Sequence, residues 1–336
     1  MSLYRSVLQP VLFRLDAEAI HDTAMKLLAG LGPVLQAMAP AHDSRLEKTV
    51  FGIRFPNPVG LAAGFDKNAV ALRAWEGIGF GFAEVGTVTA RAQPGNPKPR
   101  IFRLPAERAL INRLGFNNQG ADAIASRLRR EVEGGRWPRI PIGINIGKSR
   151  DVPLDSATAD YVLSLERLLQ FGDYFVLNVS SPNTPGLRTL QDRPALDHLL
   201  EMIQRRNTGR KPLLVKIAPD LSNEALEDAI TLATQHQLAG LVATNTTVDH
   251  SSVPARLRQQ GGLSGAPLRR RSTEVVRFLA SHSKLPIIAV GGIDSVDAAL
   301  EKLDAGAALL QLYTGFIYEG PALVRDICKA IADRQG

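Results

Sequence analysis

The sequence predicts an α/β fold, a (β/α)8 TIM barrel with an N-terminal helical hairpin extension. From residue 57 onward, eight short runs rich in Val, Ile and Leu alternate with amphipathic stretches, and the runs end in Gly, Ser, Thr or Asn. Their hydrophobicity is continuous rather than alternating, which is typical of parallel strands that helices cover on both faces. The predicted strands are residues 58–62, 82–86, 141–145, 174–179, 213–217, 240–244, 286–290 and 307–312.

The segments between these runs predict helices. Residues 222–236 and 295–305 each open with a serine that is followed by an acidic residue in the first turn, as helix N-termini do. Eight β-α units of this kind predict a closed barrel, in which functional side chains gather where the strands end. Polar residues follow each of the predicted strands, so the site is expected at that end of the barrel.

Residues 1–40 form a separate predicted unit, an amphipathic helical hairpin for membrane association, and residues 41–336 form the barrel. Formal charges cancel in the hairpin, so contact with a membrane would come from apolar area rather than from lipid charge. A helix pair packed on the barrel as a lid is the alternative. The first apolar stripe is Leu3, Tyr4, Val7, Leu8, Val11 and Leu12, and the second, after the acidic start at Asp16, is Ile20, Ala24, Leu27, Leu28 and Leu31.

Composition limits the classes of function. The chain of 336 residues carries 40 Lys and Arg against 33 Asp and Glu, a net charge of +7, which suits an anionic substrate, a phosphate cofactor or an anionic membrane surface. Nucleic acid is not expected as a partner, because the basic residues between 91 and 113 fall in a predicted loop too rich in Pro and Gly for a DNA-reading helix.

Cysteine and histidine usage argues against a metal site or a disulfide. Cys328 is the single cysteine, and the six histidines lack metal-ligand spacing. The sequence shows no apolar run of about 20 residues and no basic-then-apolar leader, so we expect neither a transmembrane nor an exported protein.

The segment 180–186 contains two serines, an asparagine and two prolines directly after a buried run. It predicts a catalytic loop, or alternatively an ordinary capped turn. Lys216 at the end of another strand needs a nearby anion, either a ligand or a barrel carboxylate. Gly291-Gly292 follow one predicted strand and Thr314-Gly315 follow the next, an arrangement typical of a phosphate-binding site. Asparagines at strand ends suit a ring that bears amide edges.

Taken together, these motifs resemble the class 2 dihydroorotate dehydrogenases, the membrane-associated, quinone-reducing enzymes. The resemblance runs from the N-terminal helices to the last strand, and the joint occurrence of the motifs in this order is highly specific. The runs that carry it are residues 60–67, 84–89, 93–96, 111–117, 143–148, 178–188, 215–220, 243–247, 261–265 and 290–293.

The resemblance implies the cofactor FMN and the oxidation of (S)-dihydroorotate to orotate, in de novo pyrimidine (UMP) biosynthesis. The implied FMN-binding residues are Ala63, Gly64, Lys67, Thr87, Asn145, Asn178, Lys216, Thr244, Gly265, Gly292, Tyr313 and Thr314. The implied substrate-binding residues are Lys67, Asn112, Arg113, Leu114, Gly115, Phe116, Asn178, Asn183, Asn245 and Thr246.

Ser181 matches the catalytic base of the class, where the soluble members carry cysteine. Serine is a weak base and requires assistance, which we expect from Thr184 and from a water near Phe116. His21 and Arg103 match the polar lining of a quinone tunnel beneath the N-terminal helices. The resemblance also implies a peripheral protein on the cytoplasmic face of the inner membrane, and we expect a monomer.

Three other functions are weighed against this one. The same flavin barrel could serve a soluble acceptor, such as fumarate or NAD through a partner subunit, but Ser181 and the added helices argue against it. A flavin reductase that acts on uridine in RNA is disfavoured by the asparagine-rich pocket. A non-catalytic phosphate-binding barrel is the third alternative.

Overall fold

The computed structural model describes residues 4–335, and its centre is a closed barrel of eight parallel strands. The strand order around the barrel is β3-β4-β7-β8-β9-β10-β12-β13, and β13 pairs with β3 to close it. All eight predicted strands are confirmed, with bounds that differ by up to two residues. The strands of the chain are β1 Lys48–Val50, β2 Ile53–Phe55, β3 Val59–Leu61, β4 Phe82–Val88, β5 Ile101–Leu104, β6 Ala109–Asn112, β7 Ile142–Ile146, β8 Tyr174–Asn178, β9 Leu213–Ile217, β10 Gly240–Ala243, β11 Gly262–Gly265, β12 Ile287–Val290 and β13 Leu309–Leu312.

Helices surround the barrel, and the predicted caps are present. Ser222 and Ser295 accept hydrogen bonds from the third residue of the helices that they precede, which satisfies one of the free N–H groups of the first turn. The helices are α1 Gln9–Leu12, α2 Ala17–Ala37, α3 Leu72–Ile78, α4 Ala121–Glu133, α5 Ala157–Leu168, α6 Arg193–Arg206, α7 Asn223–Gln235, α8 Arg269–His282, α9 Val296–Asp304, α10 Thr314–Glu319 and α11 Ala322–Gln335.

The basic segment between residues 91 and 113 is not only a loop, and in this respect the sequence-based expectation is wrong. Strands β5 and β6 form an antiparallel hairpin there, and β11 pairs with β6 to complete a three-stranded sheet. Pro and Gly surround these four-residue strands, so the local sequence is typical of a loop, and pairing with the distant β11 stabilises them. This small sheet, the cap sheet, contributes Asn112, Ser264 and Gly265 to the cavity described below.

The opposite end of the barrel is closed by the short hairpin of β1 and β2, which the sequence analysis did not predict. Phe55 is fully buried, and its ring lies 5.2 Å from that of Phe82 in an edge-to-face contact. Tyr174 and Phe51 complete this aromatic plug. Solvent is thereby excluded from the interior below the polar strand ends.

The N-terminal hairpin is present as two helices. A π-helical turn, Tyr4–Leu8, continues into α1, and Asp16 caps α2 through the N–H groups of Glu18 and Ala19. Leu3 lies outside the described residues. Among residues 4–335, no helix has the length and apolar character required to cross a bilayer.

One face of α2 is bound to the barrel. The Gln36 amide donates to Glu76 and accepts from Arg73, both on α3. Leu35 contacts Gly77 so closely that a Cβ atom at Gly77 would lie 2.3 Å from the Leu35 carbonyl carbon. The hairpin is therefore packed against the barrel, and the functional division at residue 40 remains a prediction.

Replacing Phe55 by alanine is expected to lower the free energy of unfolding by ~3–5 kcal/mol, because it deletes a buried ring from a close-packed plug. Urea denaturation followed by circular dichroism measures the change. Thr49→Ala, at an exposed position of the same hairpin, is the control and should shift the midpoint little. A Phe55→Ala protein as stable as the wild type would show that the plug contributes nothing to barrel stability.

Candidate active site

A cavity opens at the carboxyl ends of the barrel strands, between the barrel and the cap sheet. Its volume is about 960 Å³, with the open solvent at its mouth included. Most of the predicted cofactor and substrate residues line it. They are Ala63, Gly64, Lys67, Thr87, Asn112, Leu114, Gly115, Phe116, Asn178, Ser181, Asn183, Lys216, Thr244, Asn245, Thr246, Gly265, Gly292, Tyr313 and Thr314.

A chain of hydrogen bonds orders the polar floor of the cavity. Glu84, fully buried inside the barrel, accepts from Asn145 Nδ2 at 2.8 Å. Asn145 Oδ1 in turn accepts from Thr87 Oγ1 at 2.6 Å and from Asn178 Nδ2 at 3.2 Å. Asn178 Oδ1 accepts from Asn245 Nδ2 at 3.1 Å. Each amide therefore has one fixed orientation.

Lys216 brings a buried cation to the same floor. Its side chain is almost completely buried, and burial lowers its pKa, an effect that the field of Glu84 opposes. No carboxylate among residues 4–335 forms an ion pair with it, and the two Glu84 oxygens accept instead from the amides of Asn145 and Gln311. A buried ammonium without a counter-ion is stabilised when an anionic ligand binds beside it.

Glycines shape the opposite wall as a cradle. Gly64, Gly265, Gly291 and Gly292 all have positive φ angles, and a Cβ atom at Gly292 would lie 2.3 Å from Arg269 Cα. The backbone therefore lies close to α8, and these glycines place no side chain of their own over it. Such a cradle fits a phosphate group.

The segment 180–186, for which a catalytic loop is predicted, contributes Ser181 and Asn183 to the lining of the cavity. Ser181 is buried, and its Oγ accepts from the Asn183 N–H at 3.3 Å. Arg188 holds the base of the loop, since its Nε donates to the Ser180 carbonyl at 3.0 Å. Asn183 Nδ2 donates to Asn112 Oδ1 at 3.0 Å and joins the loop to the cap sheet.

Lys67 places a second cation at the cavity. Burial lowers its pKa to about 8, and the carboxylate of Glu18 partly opposes that shift. Phe116 is buried beside Thr87 and Gly147, and its backbone has a φ of +55°. A positive φ is strained for a phenylalanine, so surrounding contacts must hold the ring in the wall.

Three predicted residues do not line the cavity. Arg113 turns its guanidinium away, donating to the Pro99 carbonyl and lying 5.1 Å from the Phe102 ring centroid. Asn145 lies below the floor. Thr184 is a buried residue of the loop itself, and its Oγ1 has no hydrogen-bond partner among the described residues.

The two predicted quinone residues lie where the N-terminal helices meet α10. The His21 ring is 5.1 Å from Phe65, and burial, with Lys67 nearby, lowers its pKa to about 3. Arg103 donates to the Leu12 and Leu15 carbonyls and lies 4.9 Å from the Phe13 ring centroid. The two side chains do not contact each other.

Several lining residues were missed by the sequence analysis. Ser264 Oγ lies 2.9 Å from Thr314 Oγ1 beside the glycine cradle, and its place in the motif 261–265 could have indicated it. Gln311 points into the barrel from β13 and holds Glu84, a role that no local pattern predicts. The others are Ala62, Leu268, Val290 and Ile293.

Comparison with known proteins gives a consistent result. A family model described as dihydroorotate dehydrogenase matches residues 45–334. "Dihydroorotate dehydrogenase (quinone)" of Gloeobacter violaceus is 55% identical over 99% of this chain and 95% of the relative. The protein of the same name from Thermosynechococcus vestitus is 50% identical over 98% of this chain and 96% of the relative.

A solved structure is similar to this chain over most of its length. The crystal structure of DHODH from Eimeria tenella in complex with ferulenol superposes with a TM-score of 0.84 at 39% identity, covering 94% of this chain and 90% of that chain. The chain therefore belongs to the dihydroorotate dehydrogenase family, whose members are flavin-dependent oxidoreductases.

Proposed function

We propose that this protein oxidises dihydroorotate to orotate, with FMN as its cofactor and a membrane quinone as the final electron acceptor, in pyrimidine biosynthesis. The observation that carries the proposal is the joint placement of Ser181, the amides of Asn112, Asn183 and Asn245, and the buried cation of Lys216 in one cavity. The names of the relatives support quinone as the acceptor.

The residues of the cavity fit FMN. Gly265, Gly292 and Thr314 would hold the phosphate at the glycine cradle, where the glycines place no side chain of their own between the backbone and the cavity. Lys216 would lie against the polar edge of the ring and acquire the anionic partner that it lacks. When bound, FMN supplies the hydride acceptor and transfers the electrons to quinone.

Ser181 is the proposed base. Its Oγ would take the proton from C5 of dihydroorotate, while the hydride leaves C6, so that the two hydrogens of the new double bond depart separately. Thr184 supports this role, because a buried hydroxyl without a protein partner is available to a water that relays the proton. The pair Asn112 and Asn183 would bind the amide edges of the substrate ring.

The acceptor side is proposed at the N-terminal helices. Phe65 contacts both the His21 ring and, at 5.3 Å, the ring of Tyr313, which lines the cavity. Two ring contacts thus connect the cofactor cavity with the helices. His21 and Arg103 would line the quinone tunnel there, and His21 would act as a neutral imidazole because of its low pKa.

The proposal also includes location and oligomeric state: the protein is a monomer that binds peripherally to the cytoplasmic face of the inner membrane. Large apolar side chains are exposed along the outer faces of both N-terminal helices. Leu27 and Leu31, one turn apart on α2, are 60% and 51% exposed. The others in this region are Val7, Leu8, Val11, Leu15, Val34 and Met38. Such a patch is typical of a surface that meets lipid.

The protein loaded with FMN should lose its yellow flavin absorbance when dihydroorotate is added anaerobically, and quinone, but not fumarate or NAD, should restore it. In Ser181→Ala the bleaching rate should fall by about 10²–10⁴-fold, because the base is lost. Stopped-flow absorbance measures the rate. Ser181→Cys retains an ionisable group and should keep part of the activity.

Two results would contradict this proposal. One is an unbleached spectrum in the wild-type protein, which would favour the non-catalytic barrel. The other is a Thr184→Ala variant that is bleached as fast as the wild type, which would remove Thr184 from the relay.

Orotate should bind more weakly above pH 8. Binding of an anion favours the protonated form of Lys67, whose pKa is about 8 in the ligand-free protein. Above that pH, binding must take up a proton, so the dissociation constant should rise by up to about tenfold per pH unit. Titration by flavin absorbance between pH 7 and 9 measures it. Lys67→Arg, which stays charged, should bind with a flat profile; an equally steep rise in Lys67→Arg would assign the effect to another group.

Glutamates at Leu27 and Leu31 should weaken binding to vesicles of mixed anionic and neutral phospholipid by at least about 100-fold, since each buried leucine contributes roughly 1.5–3 kcal/mol. Flotation of the holoenzyme with vesicles measures the bound fraction, and bleaching by dihydroorotate should be unchanged. The matched control carries glutamates at Leu163 and Val248, exposed apolar residues of the barrel, and should bind vesicles as the wild type does. Equal loss in both variants would exclude a specific membrane face.

A further inference from the structure

A buried ion pair connects the N-terminal hairpin to the cap of the active site. Glu18 on α2 accepts from Arg100 Nε at 3.1 and 3.0 Å, one distance to each carboxylate oxygen, and from Arg100 Nη2 at 2.6 Å. The two side chains are only 8% and 7% exposed. Lys98 also reaches Glu18, at 3.3 Å, but its side chain is 61% exposed. The fork of Arg100 is thus the principal connection.

The other side of the same guanidinium holds a turn. Arg100 Nη1 donates to the carbonyls of Pro94 at 2.6 Å and Asn96 at 2.7 Å. Gly95 between them has a φ of +79°, and a Cβ atom there would lie 2.7 Å from Arg100 Nη1. The position of this turn therefore depends on a guanidinium that Glu18 orients.

The turn at residues 94–96 also contacts the catalytic loop. Asn96 Nδ2 donates to the Asn183 carbonyl at 3.1 Å and to the Arg113 carbonyl at 2.9 Å. The backbone N–H of Asn96 donates to the Leu114 carbonyl at 3.0 Å. One side chain thus fixes the loop that carries Ser181 against the segment that lines the cavity through Leu114.

We propose that Glu18 and Arg100 are positioning residues for the dihydroorotate side of the site, acting through Asn96 on the catalytic loop. The N-terminal helix then serves both half-reactions, because Glu18 lies one turn before the proposed quinone residue His21. This inference rests on the proposed function, since the loop matters only if Ser181 is the base.

The test measures flavin bleaching by dihydroorotate in the FMN-loaded full chain, anaerobically and without quinone. Glu18→Gln, Arg100→Gln and Asn96→Ala should each raise the dihydroorotate concentration for half-maximal rate, or lower the maximal rate, by tenfold or more. Arg100→Lys should not restore it, because an ammonium cannot reproduce the bidentate fork. Lys98→Ala, which removes the exposed partner of the same carboxylate, is the matched control and should stay within twofold of the wild type.

Non-additivity separates this role from general destabilisation. If Glu18 acts through Asn96, the double variant Glu18→Gln/Asn96→Ala should be no more than about threefold worse than Asn96→Ala alone, as residues of one network behave. If the losses of the two single variants multiply in the double variant, the proposal is overturned. A bleaching rate within twofold of the wild type in Asn96→Ala would also overturn the proposal. This variant leaves no unpaired buried charge, so it keeps the test valid if Glu18→Gln does not fold.

Failure of the proposed function is distinguishable from failure of this inference. A wild-type protein that dihydroorotate does not bleach contradicts the function before any variant is made. A wild type that is bleached, together with variants that behave independently, contradicts only the positioning role.

Discussion

The carboxylate of Glu84 inside the barrel is the constraint on which the polar site depends. A carboxylate accepts hydrogen bonds and donates none, so Asn145 must present its Nδ2 to Glu84 and its Oδ1 to Thr87 and Asn178. Asn178 must then present its Oδ1 to Asn245. One buried group therefore sets the orientation of three amides at the ends of β7, β8 and β10, and a ligand that enters meets donors and acceptors already in place.

The same arrangement explains why Lys216 remains available to a ligand. Glu84 is close enough to affect the lysine electrostatically, but its hydrogen bonds go to the amides of Asn145 and Gln311, and it forms no ion pair with the lysine among the described residues. The barrel thus holds a cation whose desolvation is only partly compensated by the protein. An anionic ring edge or phosphate that completes the compensation gains affinity, because the desolvation cost of the cation has already been met on folding.

The sequence predicted the barrel well because eight buried strands leave a continuous apolar signal, and motif positions predicted most of the cavity lining. Pairing between distant segments could not be predicted in this way. The strands β5, β6 and β11 are four residues each and exist through their contacts with one another. Arg113 follows β6, and its guanidinium is turned toward Pro99. The motif 111–117 places it between two cavity residues in sequence, and this position does not reveal the direction of its side chain. Glu18 and Arg100 lie 82 positions apart, and neither shows a local pattern.

The contacts of α2 argue against regarding the hairpin as a separable membrane anchor. Its outward face carries Leu27 and Leu31, whereas its inward face carries Glu18, bound to Arg100, and Gln36, bound to Arg73 and Glu76. Removing residues 1–40 would expose the apolar surface of α3 and leave Arg100 without its buried counter-charge, which is far more costly than the loss of an exposed pair. A truncated chain that fails with dihydroorotate would therefore not identify the helices as a substrate site, and one that fails with quinone would not identify them as a quinone site. Single substitutions on the two faces of α2 separate these roles, because they change the lipid-facing and barrel-facing contacts independently.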